Sequence, residues 1–214
     1  CALPIWTGVA YNAFKDEGND AGGKKFFGEI NLWLQNGASW TNEAWGEPPD
    51  AYFGEDFSES HLKRLVGGES ADKAGHIFQK PGEDEDSEGI NIRVDDYKGF
   101  TNIYYGHKEE KPTDILGGTF TVTKAQPGSG ITLITDSKGL NVDSSKAADK
   151  NLASATLNAL ANKLFYAAYK NGETNLAGKV EIAEGLTSSS LSKRMEDVTF
   201  KESNGQGQYL YTPA

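Results

Sequence analysis

Apolar and polar residues alternate over short runs along most of this chain. The clearest block lies between residues 89 and 136. It holds the runs Ile90 to Val94, Phe100 to Tyr105, Thr119 to Thr123 and Ile131 to Thr135. A period of two is the signature of a half-buried strand, and the Val, Ile, Thr, Tyr and Phe that fill these runs suit a pleated surface. Turn residues separate them: Asp95-Asp96, Lys111-Pro112, Gly117-Gly118 and Pro127-Gly128-Ser129-Gly130.

The same pattern predicts strands over Trp6 to Tyr11, Phe27 to Leu34, Ala38 to Asn42, His61 to Val66 and Ile77 to Gln79. Three more follow at Leu176 to Ala183, Val198 to Lys201 and Gln208 to Tyr211. In the second, Ile30, Leu32 and Leu34 share one face, and Asn31 and Trp33 the other. Asn36-Gly37 reads as a tight turn. Loops rich in Gly, Pro and acids fall at 16–25, 46–59 and 81–88. The period changes once, over 144–171. There Leu157, Leu160, Leu164 and Ala168 recur at helical steps, Ser144 or Ser145 offers a cap, Asp149 suits the first turn, and Gly172 a left-handed stop.

Connections of such uneven length do not suit simple hairpins. They suit a coiled ribbon, in which each coil adds one strand to each of a few parallel sheets and loops bulge outward. At roughly 20–25 residues per coil the chain would hold about eight. Twenty-five Gly residues fit a fold with many turns. The net charge of −10 argues against nucleic acid, whose phosphates need Lys and Arg. The single Cys leaves no internal disulfide to form, and no run of 18 apolar residues predicts a membrane-spanning helix, so no membrane insertion is expected of this segment. Cys1-Ala2-Leu3-Pro4-Ile5 can be spelled, back-translated, by the end of a widely used sequencing adapter. Residues 1–5 are therefore read as an assembly artefact, and 6–214 as a single domain interrupted by the helical excursion at 144–171. No initiator Met or export signal opens the chain, so it reads as an internal piece of a longer one.

Three stretches carry a family resemblance. Ile30 to Glu43, with its aliphatic strand, Asn36-Gly37 turn and Trp40 strand, followed by His61 to Leu65, resembles rungs of bacterial autotransporter passenger domains. Tyr97 to Tyr105, Gly117 to Val122 and Gly128 to Thr135 are similar to the pertactin-like portion of those passengers. Leu157 to Leu164 with Asn175 to Thr187 resembles a segment of large autotransporter adhesins and haemagglutinin-like proteins. The resemblance implies an all-β fold, a right-handed parallel β-helix (β-solenoid) with one inserted α-helix near 145–170. It also implies display on the cell surface, attached to the outer membrane through a parent chain that carries a C-terminal β-barrel. The function it implies is that of an adhesin or stalk touching host or bacterial surface glycans or proteins, with no catalytic residue, cofactor or metal.

Two other functions stay open. Many polysaccharide lyases are β-helices that use acidic clusters and a basic residue, and Arg93, Asp95 and Asp96 with Lys98 nearby are the candidates here. Arg93 and Asp95 would share a strand face, although Asp-Asp at a strand end is also an ordinary surface turn. A β-sandwich carbohydrate-binding module would instead show antiparallel hairpins. A Ser triad would need a nucleophile elbow near His61, His76 or His107, and Ser188-Ser189-Ser190 offers only a polar loop. Glu83-Asp84-Glu85-Asp86 lacks the spacing of calcium loops. For binding, the aromatic residues Trp33, Trp40, Trp45, Tyr52, Tyr104 and Tyr105 stand out, because flat rings stack on sugars and partner proteins as readily as on one another. The expected ligand platform is Trp33, Trp40, Trp45, Tyr104 and Tyr105.

Overall fold

A computed structural model describes residues 5–7, 10, 29–43, 59–82, 89–169, 175–203 and 206–209. In chain order the strands are β1 (Ile5–Thr7), β2 (Asn31–Trp33), β3 (Ser39–Asn42), β4 (Glu59–Val66), β5 (Gly75–Gln79), β6 (Asn91–Lys98), β7 (Phe100–Lys108), β8 (Lys111–Leu116), β9 (Phe120–Ala125) and β10 (Ser129–Asp136). The helix α1 (Ala147–Ala161) precedes β11 (Leu164–Tyr166), β12 (Leu176–Ala183), β13 (Ser192–Val198), β14 (Phe200–Ser203) and β15 (Gln206–Tyr209). The described chain is thus all-β in class with one α-helix.

The strands alternate between two sheets. The first has the order β1-β3-β5-β7-β10-β12-β13, and the second β11-β9-β6-β4-β2. Every neighbouring pair in the second sheet is parallel, as is every pair from β1 to β12 in the first. Among the described strands only β13 on β12, β8 on β7 and the β14–β15 hairpin run antiparallel. Because the strands within each sheet keep one direction, connections between the sheets fall at two ends. Those from the second sheet back to the first are short: residues 34–38, 67–74, 99, 126–128 and 167–175. Those in the other direction, such as 43–58 and 137–163, are mostly longer.

Register puts like residues in rows. Trp40, Ile77, Ile103, Leu133 and Val180 form one inward row of the first sheet. Leu62, Val94, Val122 and Tyr166 form one of the second. All are buried and join one core cluster. The interval along such a row is 26 residues from Ile77 to Ile103, 30 from Ile103 to Leu133, where β8 is inserted, and 47 from Leu133 to Val180, where α1 is inserted, all above the 20–25 expected.

A buried polar chain runs beside this core. The Asn42 side-chain amide donates to Gln79 Oε1 and to the Ile90 carbonyl, both at 2.8 Å, and its oxygen accepts from Ser60 Oγ at 2.8 Å. Gln79 and Tyr105 both donate to the Gly118 carbonyl, at 3.3 and 2.9 Å. Thr135 donates to the Tyr105 carbonyl at 2.9 Å. Asn42, Gln79, Tyr105 and Thr135 occupy one row of the first sheet, so each strand adds a member.

Several local expectations need correction. Asp95-Asp96 is no turn but lies inside β6. In three adjacent strands the inward phase slips by one residue: burial passes from Leu62 to Leu65, Val94 to Tyr97 and Val122 to Ala125. Both members of the pairs Lys63-Arg64, Asp95-Asp96 and Thr123-Lys124 therefore face outward. Lys111-Pro112 opens β8 rather than a turn. The helix stops at Ala161 instead of reaching Lys170. Leu164 and Tyr166, which also alternate, leave it to pair with Phe120 and Val122. Gly172 lies outside the described residues. No side chain of the N-terminal flanking residue caps the helix, although Ser144 Oγ accepts the Lys146 N–H just before it at 3.1 Å. Ser192 to Asp197, unassigned in the sequence, becomes β13, a charged edge strand of the kind that discourages further pairing.

Candidate functional site

The outer face of the second sheet collects most of the charge candidates. Alternation along β4, β6 and β9, with the shared slip, points Glu59, His61, Lys63 and Arg64 outward. Arg93, Asp95, Asp96, Lys98 and Lys124 follow. Parallel register then sets Arg64 beside Asp96, and Asp96 beside Lys124, while Trp33, Val66 and Lys98 make a second row.

Much of this charge is already committed. His61 Nε2 donates to Asp95 Oδ1 at 2.9 Å, and Arg93 Nη2 donates to His61 Nδ1 at 3.3 Å. Arg93 Nε lies 3.1 Å from Glu59 Oε1, and Arg64 Nε donates to Asp96 Oδ2 at 3.0 Å. Both nitrogens of His61 are occupied, which leaves no lone pair to take a proton from a ligand. Lys63, Lys98 and Lys124 are exposed and, among the described residues, make no ion pair. Five cations thus stand against three anions on this face, in a chain of net charge −10.

The aromatic platform is divided by burial. Trp33 is 57% exposed and sits on the outer face at β2. Trp40 is fully buried and stacks on Trp6 with centroids 5.2 Å apart, so it offers no face to a ligand. Tyr105 is likewise inside, fixed by its bond to Gly118. Tyr104 points to the other side of the first sheet, yet it is only 2% exposed. It stacks on Phe78 at 4.7 Å, and its hydroxyl lies 2.9 Å from His76 Nδ1. Inward alternation, which placed Ile103 and Tyr105 on one face, was the available signal for Tyr105. Trp45, Tyr52 and Glu83 to Asp86 lie outside the described residues.

The rest of the candidate chemistry is dispersed. His76, Tyr104 and Glu181 lie on the outer side of the first sheet. Burial lowers the pKa of His76 and raises those of Tyr104 and Glu181. For Tyr104 a bond from Asn102 opposes the rise and the Glu181 charge adds to it, and for Glu181 a bond from Ser192 opposes it. His107 is enclosed: Nδ1 lies 3.1 Å from the Lys108 carbonyl, and Nε2 lies 3.1 Å from the Asp136 carbonyl and 3.0 Å from its carboxylate. Thr187 and Ser190 bond to each other in a turn. Among the described residues no three His, Cys, Asp or Glu side chains converge as a metal site.

One open groove, of about 700 Å³, lies between α1 and β13 and is lined by Lys150, Asn151, Ser154, Asn158, Lys193 and Arg194. Two of its three cations are tied down. Arg194 is paired with Glu196 at 2.5 Å and donates to Ser154 at 3.0 Å, and Lys193 lies 3.2 Å from Glu184. Sequence reasoning missed both this groove and the placing of Lys63, Lys98 and Lys124 on one side of the second sheet, because each is made by residues distant along the chain.

Comparison with protein-family models, with curated proteins and with solved structures finds no match for this chain.

Proposed function

We propose that this chain is a right-handed parallel β-helix of the autotransporter-passenger kind, acting without catalysis as an adhesive or stalk segment at the cell surface. The observation that carries the reading is the alternation of strands between two parallel sheets in continuous register, from β1 to β12. A ribbon wound in this way stacks its inward rows into one core and displays its outward rows to the surroundings. Right-handedness follows from the rule for crossovers between parallel strands of one sheet. The resemblance of Ile30 to Glu43 and of Tyr97 to Thr135 to passenger rungs supports the family, and with it a surface location and a parent chain ending in an outer-membrane barrel.

The lyase alternative is disfavoured by pairing. Arg93, Asp95 and Asp96 each have a partner within 3.1 Å on the same face, the arrangement of a paired surface rather than of side chains gathered around a substrate. A β-sandwich binding module would need antiparallel sheets, whereas nine of the strand pairs here are parallel. Two measurements test the proposal. Long-read sequencing of the genomic locus should find an export signal upstream and a membrane barrel downstream in the same frame; a frame that closes without a barrel removes the passenger assignment. Incubation with acidic polysaccharide and Ca²⁺ should leave the polymer's length unchanged, and sustained shortening would remove the non-catalytic reading.

A further inference from the structure

We infer that the outer face of the second sheet binds an extended acidic polysaccharide. The inference rests on the surface-binding reading above and names the ligand class for it. Its first support is charge. Lys63, Arg64, Arg93, Lys98 and Lys124 outnumber Glu59, Asp95 and Asp96 on this face, against a strongly acidic whole. The three anions are the ones held by His61 and Arg64 or facing Arg93, so the surplus falls on the three unpaired lysines.

The second support is spacing. Neighbouring strands lie about 4.8 Å apart. Lys124 on β9 stands in the Arg64–Asp96 row, Lys63 on β4 one residue before that row and Lys98 on β6 two residues beyond it, so each of three neighbouring strands carries one ammonium in a staggered array, which suits an extended polymer with repeated acid groups better than a compact ion. The third is Trp33, exposed in the same row as Lys98 and flanked by Asn31, which gives a sugar ring a flat apolar surface with an amide beside it. Outward Thr121 and Thr123 on β9 add hydroxyls. Carboxylated and sulfated sugars share this chemistry, and both are tested as sources.

The experiment measures binding of the whole chain to polygalacturonate, to heparin and to neutral dextran, by fluorescence and affinity electrophoresis. The expected result is binding to at least one acidic polymer and none to dextran, weakened by added salt. Affinity should fall at least about tenfold in the triple variant Lys63→Gln, Lys98→Gln, Lys124→Gln, and several-fold in Trp33→Ala, with the unfolding midpoint unchanged. The variant pair Lys150→Gln, Lys193→Gln should bind as the parent does. Equal binding to dextran, no binding to any of the three, or undiminished affinity in the triple variant overturns the inference and leaves a protein partner for the surface module. Loss confined to the Lys150 and Lys193 variant also overturns it, and moves the site to the groove beside α1. A bound polymer that shortens supports the ligand class while overturning the non-catalytic reading.

Discussion

At the scale of single residues, burial decides which polar groups are structural. Asn42 holds three partners inside the fold, and its removal takes a hydrogen bond from the Ser60 hydroxyl, from Gln79 Oε1 and from the Ile90 carbonyl. Asn42→Ala is expected to destabilise the protein by roughly 1–3 kcal/mol for each group left without a partner, read as a lowered denaturant midpoint. Two groups on the outer side of the first sheet set a pH dependence. Burial raises the pKa of Glu181, so the folded state holds its proton more tightly than the unfolded chain. Its contribution is present below the ordinary value of 4.5 and is lost as the pH rises through the folded one. Glu181→Gln should therefore stabilise the chain at pH 7, and that gain should vanish below pH 4.5. His76 has the opposite sign. Burial lowers its pKa, so its contribution is full above 6.5 and is lost as the pH falls through the folded value. Its Nδ1 also lies 2.9 Å from the Tyr104 hydroxyl. His76→Gln should flatten the decline in stability below pH 6.5, measured by unfolding across a pH series.

At the scale of elements, the short connections control how the sheets meet. Gly99 alone joins β6 to β7, with φ of +87°, and a Cβ there would lie 2.6 Å from the Gly68 carbonyl oxygen. Gly99→Ala meets both a left-handed backbone, which costs about 1–2 kcal/mol for an L-residue, and a clash with rigid backbone. The expected loss exceeds that figure, with an unchanged dependence on denaturant. The sequence marked most strands within two residues, because alternation between a buried and an open side is a local property. It marked the helix too long, since Leu164 fits both a helical step from Leu160 and an alternating pair with Tyr166; pairing with β9 settles the choice. It also read Asp95-Asp96 as a turn, because two consecutive polar residues look alike whether the chain turns or slips its phase.

At the scale of the whole molecule, the rows matter more than any single strand. Trp33 contributes to an outward row and to no buried cluster, so Trp33→Ala should change stability by less than about 0.5 kcal/mol, checked by thermal unfolding, while its effect on ligand binding is read separately. Leu157, in contrast, is fully buried where α1 meets the core, and Leu157→Ala should cost about 2–5 kcal/mol in the same measurement.

The chain by itself determined an all-β class, the position of most strands, the single helix and the excess of acids, because each follows from residue types at short range. It did not determine that Trp40 and Tyr105 are interior while Trp33 is open, that His61 meets Asp95, or that three lysines share one face. Those depend on which strands pair and in what register. The intervals between partners range from Ile77 and Ile103 to Leu133 and Val180, and only the closing of a common core fixes them. A one-residue slip in that register would send every inward side chain to solvent, so the tertiary structure decides the face on which function is displayed.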